Sequence, residues 1–232
     1  MISVARRTAG LLLCACLTLV PLPGLLASDQ FNGAWATYYT SGVLNPGENK
    51  SAWLYGFYSD ARYYDRLQGI QQYVLQPSIG YRYNSRLSFW TGYTYFRSEV
   101  TDLTTINENR IYEQVSWNMG RWDNTTLSSR TRLEQRSREH LHGTDLRLRQ
   151  QFKLQYRLTS YDEIKLILGD EMFYNLRDTD WTRQGYSQNR LYAGVGLDFH
   201  DLNVEVLYMN QQYRIRQAPD IVNHVLVLGL RL

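Results

Sequence analysis

The stretch TTLSSRTRLEQRSREHLHGTDLRLRQQFKLQYRL, residues 125–158, decides the fold. Past its central His/Gly turn, the even positions Leu146, Leu148, Phe152, Leu154, Tyr156 and Leu158 are apolar, with Gln150 the exception. The odd positions are Arg147, Arg149, Gln151, Lys153, Gln155 and Arg157. Alternation with period two marks a strand that has one apolar and one polar face. Before the turn, Arg130, Arg132, Glu134, Arg136 and Arg138 share the even phase. Leu127, Ser129, Thr131, Leu133 and Gln135 form a weaker apolar face behind them. A hairpin of this kind needs two different solvents, and a wall between lipid and a wet interior supplies both.

The N-terminus has the parts of a secretory signal peptide. Arg6 and Arg7 form a positive region, residues 11–20 an apolar one, and Pro21, Pro23 and Gly24 break it before a cleavage point after Ala27. The apolar run is too short to span ~30 Å of hydrocarbon as a helix. Both cysteines, Cys14 and Cys16, lie inside this leader, so residues 28–232 hold no disulfide and no thiolate metal site. Loss of Arg6 and Arg7 takes the formal charge from +3 to +1. The arginines lie on alternating faces instead of clustering in a solvated patch, which argues against a nucleic-acid partner. Tyr supplies 19 of the aromatic residues, against 6 Trp and 7 Phe, the composition of interfacial aromatic girdles.

Eleven strand-like segments run through the chain, at about 33–43, 52–64, 71–83, 87–97, 110–119, 125–138, 144–158, 163–174, 189–199, 202–213 and 223–232. Residues 52–64 have no clean phase. Connections at 45–49, 84–85, 120–124, 159–162 and 200–201 are short. Those at 66–70, 98–109, 139–143, 175–188 and 215–222 are longer or more polar. Short turns on one side and longer loops on the other are the outer-membrane pattern. No linker-like composition divides the chain, so residues 28–232 read as one domain after the signal peptide, 1–27. Bacterial single-chain barrels have an even number of strands. The expectation is therefore an all-β, antiparallel transmembrane barrel of about 12 strands, with ten as the alternative.

A basic side chain near the lipid midplane costs roughly 2–4 kcal/mol. Four arginines placed there would cost about 8–16 kcal/mol, as much as a domain's whole stability of ~5–15 kcal/mol. Arg130, Arg132, Arg136, Arg147, Arg149, Lys153, Arg157 and Arg190 are accordingly assigned to the lumen. Two readings of this ladder stay open. It is an electropositive track for anionic solutes, or it is neutralised by Glu134, Glu171, Asp198 and Glu205 in a filled interior.

Further stretches carry a family resemblance: LQPSIGY at 75–81, SFWTGY at 88–93, RTRLEQR at 130–136, DEMFYNLRDTDW at 170–181 and QNRLYAGVGL at 188–197. YMNQ at 208–211 and Asn223-His224 complete the set. Together they resemble the domain-of-unknown-function 2490 family of bacterial barrel proteins. The resemblance implies an outer-membrane barrel of a Gram-negative cell and brings no known activity. Porin-like transport is one expectation, a closed structural barrel a second, and a rim lipid-modifying enzyme a third. For the third, His140, His142, His224, Asn223, Ser187 and Asp145 are the candidate groups, but no G-x-S-x-G spacing accompanies them. His140-x-His142 and the carboxylates Asp170, Glu171, Asp178 and Asp180 are candidate metal ligands of weak pattern. The expectation is a non-enzymatic protein with no catalytic residue, metal or cofactor. Its partners would be outer-membrane lipid, lipopolysaccharide and, during insertion, the barrel-assembly machinery.

Overall fold

The computed structural model describes residues 29–45, 52–65, 70–101, 104–214 and 219–232. The expected signal peptide lies outside these residues. Period-two alternation is realised as eleven strands: β1 (Asp29–Val43), β2 (Trp53–Tyr64), β3 (Ile70–Arg82), β4 (Leu87–Thr101), β5 (Thr104–Trp122), β6 (Thr125–Arg138), β7 (Asp145–Leu158), β8 (Tyr161–Asn175), β9 (Gly185–Phe199), β10 (Leu202–Tyr213) and β11 (Ile221–Arg231). Each pairs with its sequence neighbours, and β1 pairs with β11 to close a barrel.

The expected count of twelve, with ten as its alternative, is corrected to eleven among the described residues. An even number rested on closure by an antiparallel pair. Here closure is parallel, running from Asp29 opposite Ile221 to Tyr39 opposite Arg231. An up-and-down barrel with an odd number of strands has its first and last strands pointing the same way, so both start at one end. Among the described residues no further strand stands in the wall, and the first segment belongs to it.

Strand limits also shift. The expected loop at 98–109 is mostly ladder, with Ser98 opposite Ile106 and Thr101 opposite Thr104. Its Thr, Asn and Glu residues lack apolar alternation because this hairpin carries few apolar residues near its tip. Turns at 123–124, 159–160 and 200–201 have two residues, while 139–144, 176–184 and 214–220 are longer at the opposite end. Asp123 and His200 open two of the tight turns at φ 47° and 52°, a left-handed region that Asp, Asn and His enter more readily than other non-glycine residues. Two connections break the alternation. The one at 44–52 is long at the short-turn end, and 102–103 is short at the other.

The alternation sorts side chains cleanly. Leu148, Phe152, Tyr156, Leu166, Leu168, Leu191, Val195, Val206, Leu226, Leu228 and Leu230 are exposed on the exterior. The β2 phase, unclear in the sequence, resolves into Leu54, Asp60, Arg62 and Tyr64 inward, with Trp53, Tyr55 and Tyr63 outward. Behind the β1–β11 seam lies an apolar cluster of Trp35, Tyr64, Ile167, Tyr192, Leu207, Met209, Val225 and Val227. This wall faces the lumen, so the interior is polar on one side and apolar on the other.

Inward residues also change size along the barrel. Toward the long-loop end they are Arg, Glu, Tyr, Phe and Trp. Toward the short-turn end they include Ser78, Ser88, Ser116, Ser128, Gly56, Gly80, Gly196 and Gly229. Gly194 is the glycine most tightly fixed by neighbouring backbone. A Cβ added at Gly194 would strike the Val206 carbonyl oxygen and the Leu207 Cα of β10. At Gly196 it would meet only the flexible end of Ile167, at 3.1 Å. Gly194→Ala should therefore destabilise the barrel by about 1–3 kcal/mol through overpacking, and clearly more than Gly196→Ala. Urea unfolding of the two variants checks the order.

Candidate functional site

The long-loop half of the lumen is filled by three tiers of ion pairs. Each is built around one carboxylate that accepts from several guanidiniums. In the uppermost, Glu108 of β5 is bonded by Arg136 Nε at 2.6 Å, Arg110 Nε at 2.7 Å and Arg138 Nε at 2.8 Å. Arg136 also donates to Asp145 at 2.9 Å. In the middle tier, Glu134 accepts from Arg147 at 2.5 Å and Arg149 at 2.7 Å, with Arg132 at 3.6 Å. In the third, Glu171 accepts from Arg149 at 2.7 Å, Arg130 at 2.9 Å and Arg190 at 3.3 Å. Asp60 and Arg62 of β2 add a fifth carboxylate and a ninth guanidinium, paired at 2.7 Å.

Cross-strand register makes these contacts. Glu134 is directly opposite Arg147, and Arg132 is opposite Arg149, because β6 and β7 pair in the same phase. Glu171 is opposite Arg190 on β9. Glu108, Glu134 and Asp145 are 0–1% exposed, which places these carboxylates out of reach of solvent. In such surroundings a charge is tolerated only when paired and hydrogen-bonded.

Aromatic rings fill the spaces between cations. Arg62 lies 3.9 Å and Arg190 5.0 Å from the Trp35 ring centroid. Arg149 and Arg190 each sit 4.7 Å from Phe173, and Arg132 is 4.0 Å from Tyr112. The loop at 176–184 folds over the top tier. Its Trp181 ring lies 4.2 Å from Arg138 and 4.9 Å from Arg136, and its indole N–H donates to the Gly143 carbonyl at 3.3 Å. Thr182 donates to Asp145 at 3.1 Å and ties the loop to the plug.

The tiers do not fill the lumen completely: its cavity reaches Ser98, Ile106, Arg136 and Arg138 at the long-loop end. A cavity of about 1370 Å³ is lined by Arg130, Arg132, Arg149, Lys153 and Arg190 on one side. Trp35, Leu207, Met209 and Val227 line it on another. It reaches Arg82, Ser85, Arg86, Asn118 and Arg231 at the short-turn end. The pairs here are more exposed: Lys153–Glu205 at 2.6 Å, Lys165–Asp198 at 2.7 Å and Arg157–Asp198 at 3.2 Å.

The structure places all eight expected lumen cations inward and gives each of the four expected carboxylates at least one of them as a partner. Sequence reasoning missed Asp60, Arg62, Glu108, Arg110, Arg138 and Lys165 as lumen groups. Glu108, Arg110 and Tyr112 alternate with Asn107, Asn109 and Ile111, a signal hidden where residues 98–109 were assigned to a loop. Asp145, read as a rim catalytic candidate, is a plug carboxylate.

The other rim candidates are not brought together. His224 faces outward and shares a 2.6 Å hydrogen bond with Tyr208 Oη, while Asn223 faces inward to Gln211. Ser187 bonds the Phe173 carbonyl at 3.3 Å. His140 sits at φ 62° in an exposed turn. The acidic group also divides: Glu171 is in the plug, Asp170 faces outward with Asn189 at 2.5 Å, and Asp178 accepts from the Gln184 backbone N–H at 3.0 Å. Among the described residues there is no group of three or more His, Cys, Asp or Glu arranged to hold a metal.

The lumen and wall thus define a closed β-barrel with an ion-paired interior. Residues 32–221 match the family described as "Protein of unknown function (DUF2490)", and the chain belongs to that family. It is 28% identical over 188 residues to an uncharacterized protein of Methylorubrum extorquens, covering 76% of this chain and 82% of that one. Among solved structures, the outer-membrane expressed OmpT of Vibrio cholerae is similar at 12% identity and a TM-score of 0.38. That likeness covers 70% of this chain and 55% of the other, so this chain spans about half of that one's length.

Removing a partner from the middle tier leaves two guanidiniums buried without their shared carboxylate. Glu134→Gln should cost about 3–5 kcal/mol. Asp198→Asn, at a half-exposed pair, should cost at most about 1 kcal/mol. Chemical unfolding of both variants measures the contrast.

Proposed function

We propose that this protein is an outer-membrane barrel whose lumen is closed at the long-loop, cell-exterior end and forms a cationic cup open toward the periplasm. The observation that carries this reading is the division of one lumen into two halves. The long-loop half holds carboxylates at 0–1% exposure beneath the Trp181 loop, and the 1370 Å³ cavity threads between these tiers as far as Ile106 and Arg138 and reaches Arg82 and Arg231 at the other end, where Ser78, Ser88, Ser116 and Ser128 line it.

The membrane location is supported by the exterior. Large apolar side chains are exposed on nine of the eleven strands, and soluble monomers rarely show contiguous apolar patches beyond a few hundred Å². Lipid and lipopolysaccharide would then be the surroundings of the wall, and the barrel-assembly machinery its route of insertion. The ion pairs favour a closed barrel over a steadily conducting anion channel. An open track needs unoccupied guanidiniums along its whole length, whereas the tiers join Arg136, Arg138, Arg147 and Arg149 to carboxylates at 2.5–2.9 Å. Nothing in the rim geometry favours an enzyme, since His224 has Tyr208 as its partner and no hydroxyl nucleophile among its hydrogen-bond partners.

Fractionation should recover the protein with outer membranes, migrating heat-modifiably on a denaturing gel. In planar bilayers the parent should show no steady conductance. A variant that loses both the middle-tier anchor and the cap, Glu134→Ala with Trp181→Ala, should show open events with anion preference. Steady current through the parent would overturn the closed-barrel reading.

A further inference from the structure

The plug is not electrically balanced. Nine guanidiniums, Arg62, Arg110, Arg130, Arg132, Arg136, Arg138, Arg147, Arg149 and Arg190, share Asp60, Glu108, Glu134, Asp145 and Glu171. Eight of these cations have a carboxylate oxygen within 3.3 Å. Arg132 differs: its carboxylate contact is Glu134 at 3.6 Å.

Arg132 is held instead by neutral groups. Its Nε and Nη2 donate to Gln114 Oε1 at 2.9 and 2.6 Å, and its Nη1 donates to Gln76 Oε1 at 2.9 Å. The Tyr112 ring lies beneath it. A guanidinium carries five N–H donors, so two remain beyond these bonds. The group is 5% exposed and lines the cavity. It is therefore a fixed, poorly compensated cation on the cavity wall, with Glu134 at 3.6 Å as its nearest carboxylate and donors not taken up by the glutamines.

The opposite wall has different chemistry. In a barrel of eleven strands, β6 is five strands from β11 in one direction and five from β1 in the other. Across the lumen from Arg132 are thus the strands bearing Trp35 and Val227, with Leu207 on the neighbouring β10. Below this level the cavity is lined by the small inward residues Ser78, Ser88, Ser116, Ser128 and Gly229. Trp35 is already covered by Arg62 and Arg190, so a bare inorganic anion would satisfy the charge and make no use of Leu207, Met209 and Val227. An apolar body would dehydrate that wall but leave the cation uncompensated in a weakly screened interior. A ligand carrying both fits both walls.

We propose that the cup binds an amphipathic anion, a phosphate or carboxylate attached to an apolar body of ring size, with Arg132 as the anchor for its anionic head. This rests on the cup reading above and assigns its ligand class. A soluble metabolite and a lipid headgroup share this chemistry.

The test uses the full barrel in phosphatidylcholine nanodiscs, with 1-naphthyl phosphate as the probe in calorimetric titration. Binding should be at least tenfold tighter than that of inorganic phosphate or 1-naphthol. Arg132→Gln should weaken it at least tenfold, and Arg132→Lys should restore part of the loss. Arg157→Gln, at the exposed lower mouth, should leave it unchanged. Arg132→Gln keeps Glu134 bonded to Arg147 and Arg149, so the variant should fold, and heat-modifiable migration verifies that it does.

Equal binding of 1-naphthol would mean partition into an oily space, and unchanged affinity in Arg132→Gln would mean a different anchor. Either result overturns the proposal. Competition by phosphatidylglycerol included in the nanodisc supports the site with a lipid headgroup as its occupant. Probe binding without such competition supports it with a soluble anion. Failure of the probe to bind a non-conducting parent rejects the ligand and spares the closed barrel. Steady conductance with intact probe binding does the reverse.

Discussion

The interior depends on the sharing of three buried carboxylates among eight guanidiniums. Glu134 illustrates the constraint. It is 1% exposed and bonded by Arg147 and Arg149 from the adjoining strand, so it cannot move without stranding Arg147 and leaving Arg149 to Glu171 alone. Register follows from this. A one-residue slip of β6 against β7 would turn the whole arginine set to the exterior, where the apolar belt lies. The ion pairs and the oily face are thus two expressions of one phase. Buried ion pairs are weak evidence of net stability. Their contribution here is better seen as specification of one pairing among several that an alternating strand would permit.

The aromatic residues complete that specification. Guanidiniums that cannot each have a carboxylate of their own lie over Trp35, Tyr112, Phe173 and Trp181, where the ring quadrupole offsets part of their charge. Glycines make room for the rings. A side chain at Gly80 would meet Trp90 at 2.6 Å, and one at Gly92 would meet the Tyr112 hydroxyl at 2.6 Å. Large rings laid over glycines such as Gly80 and Gly92 fill the lumen locally, and the inward serines leave it open beside them.

Much of this was legible in the sequence. The hairpin at 125–158 alone gave the strand phase, the inward arginines and the apolar exterior, because alternation with period two survives any choice of neighbours. The partners Glu134, Glu171, Asp198 and Glu205 were legible for the same reason. The parity of the barrel was not, since whether the first strand meets the last in parallel is a long-range fact that leaves no local pattern. Nor were Glu108 and Arg110, which sit in a run of Asn and Thr residues where polar residues occur on both faces. The unequal sharing that isolates Arg132 depends on distances of a few tenths of an ångström and on side chains from β3 and β5, far away in the chain.

The parallel seam has a consequence for how the molecule is made. Ten of its strand pairings join neighbours along the chain, and each can form as a local hairpin. The eleventh joins Asp29 to Ile221, almost the full length of the described chain. Long-range pairing is the slow step where local contacts otherwise dominate. A complete but unclosed chain would hold ten ladders and two bare edges, the form most prone to pairing with other chains. Val225 and Val227 then mark commitment: they become buried against Trp35 only when the last strand arrives, so closure and completion of the apolar wall are the same event.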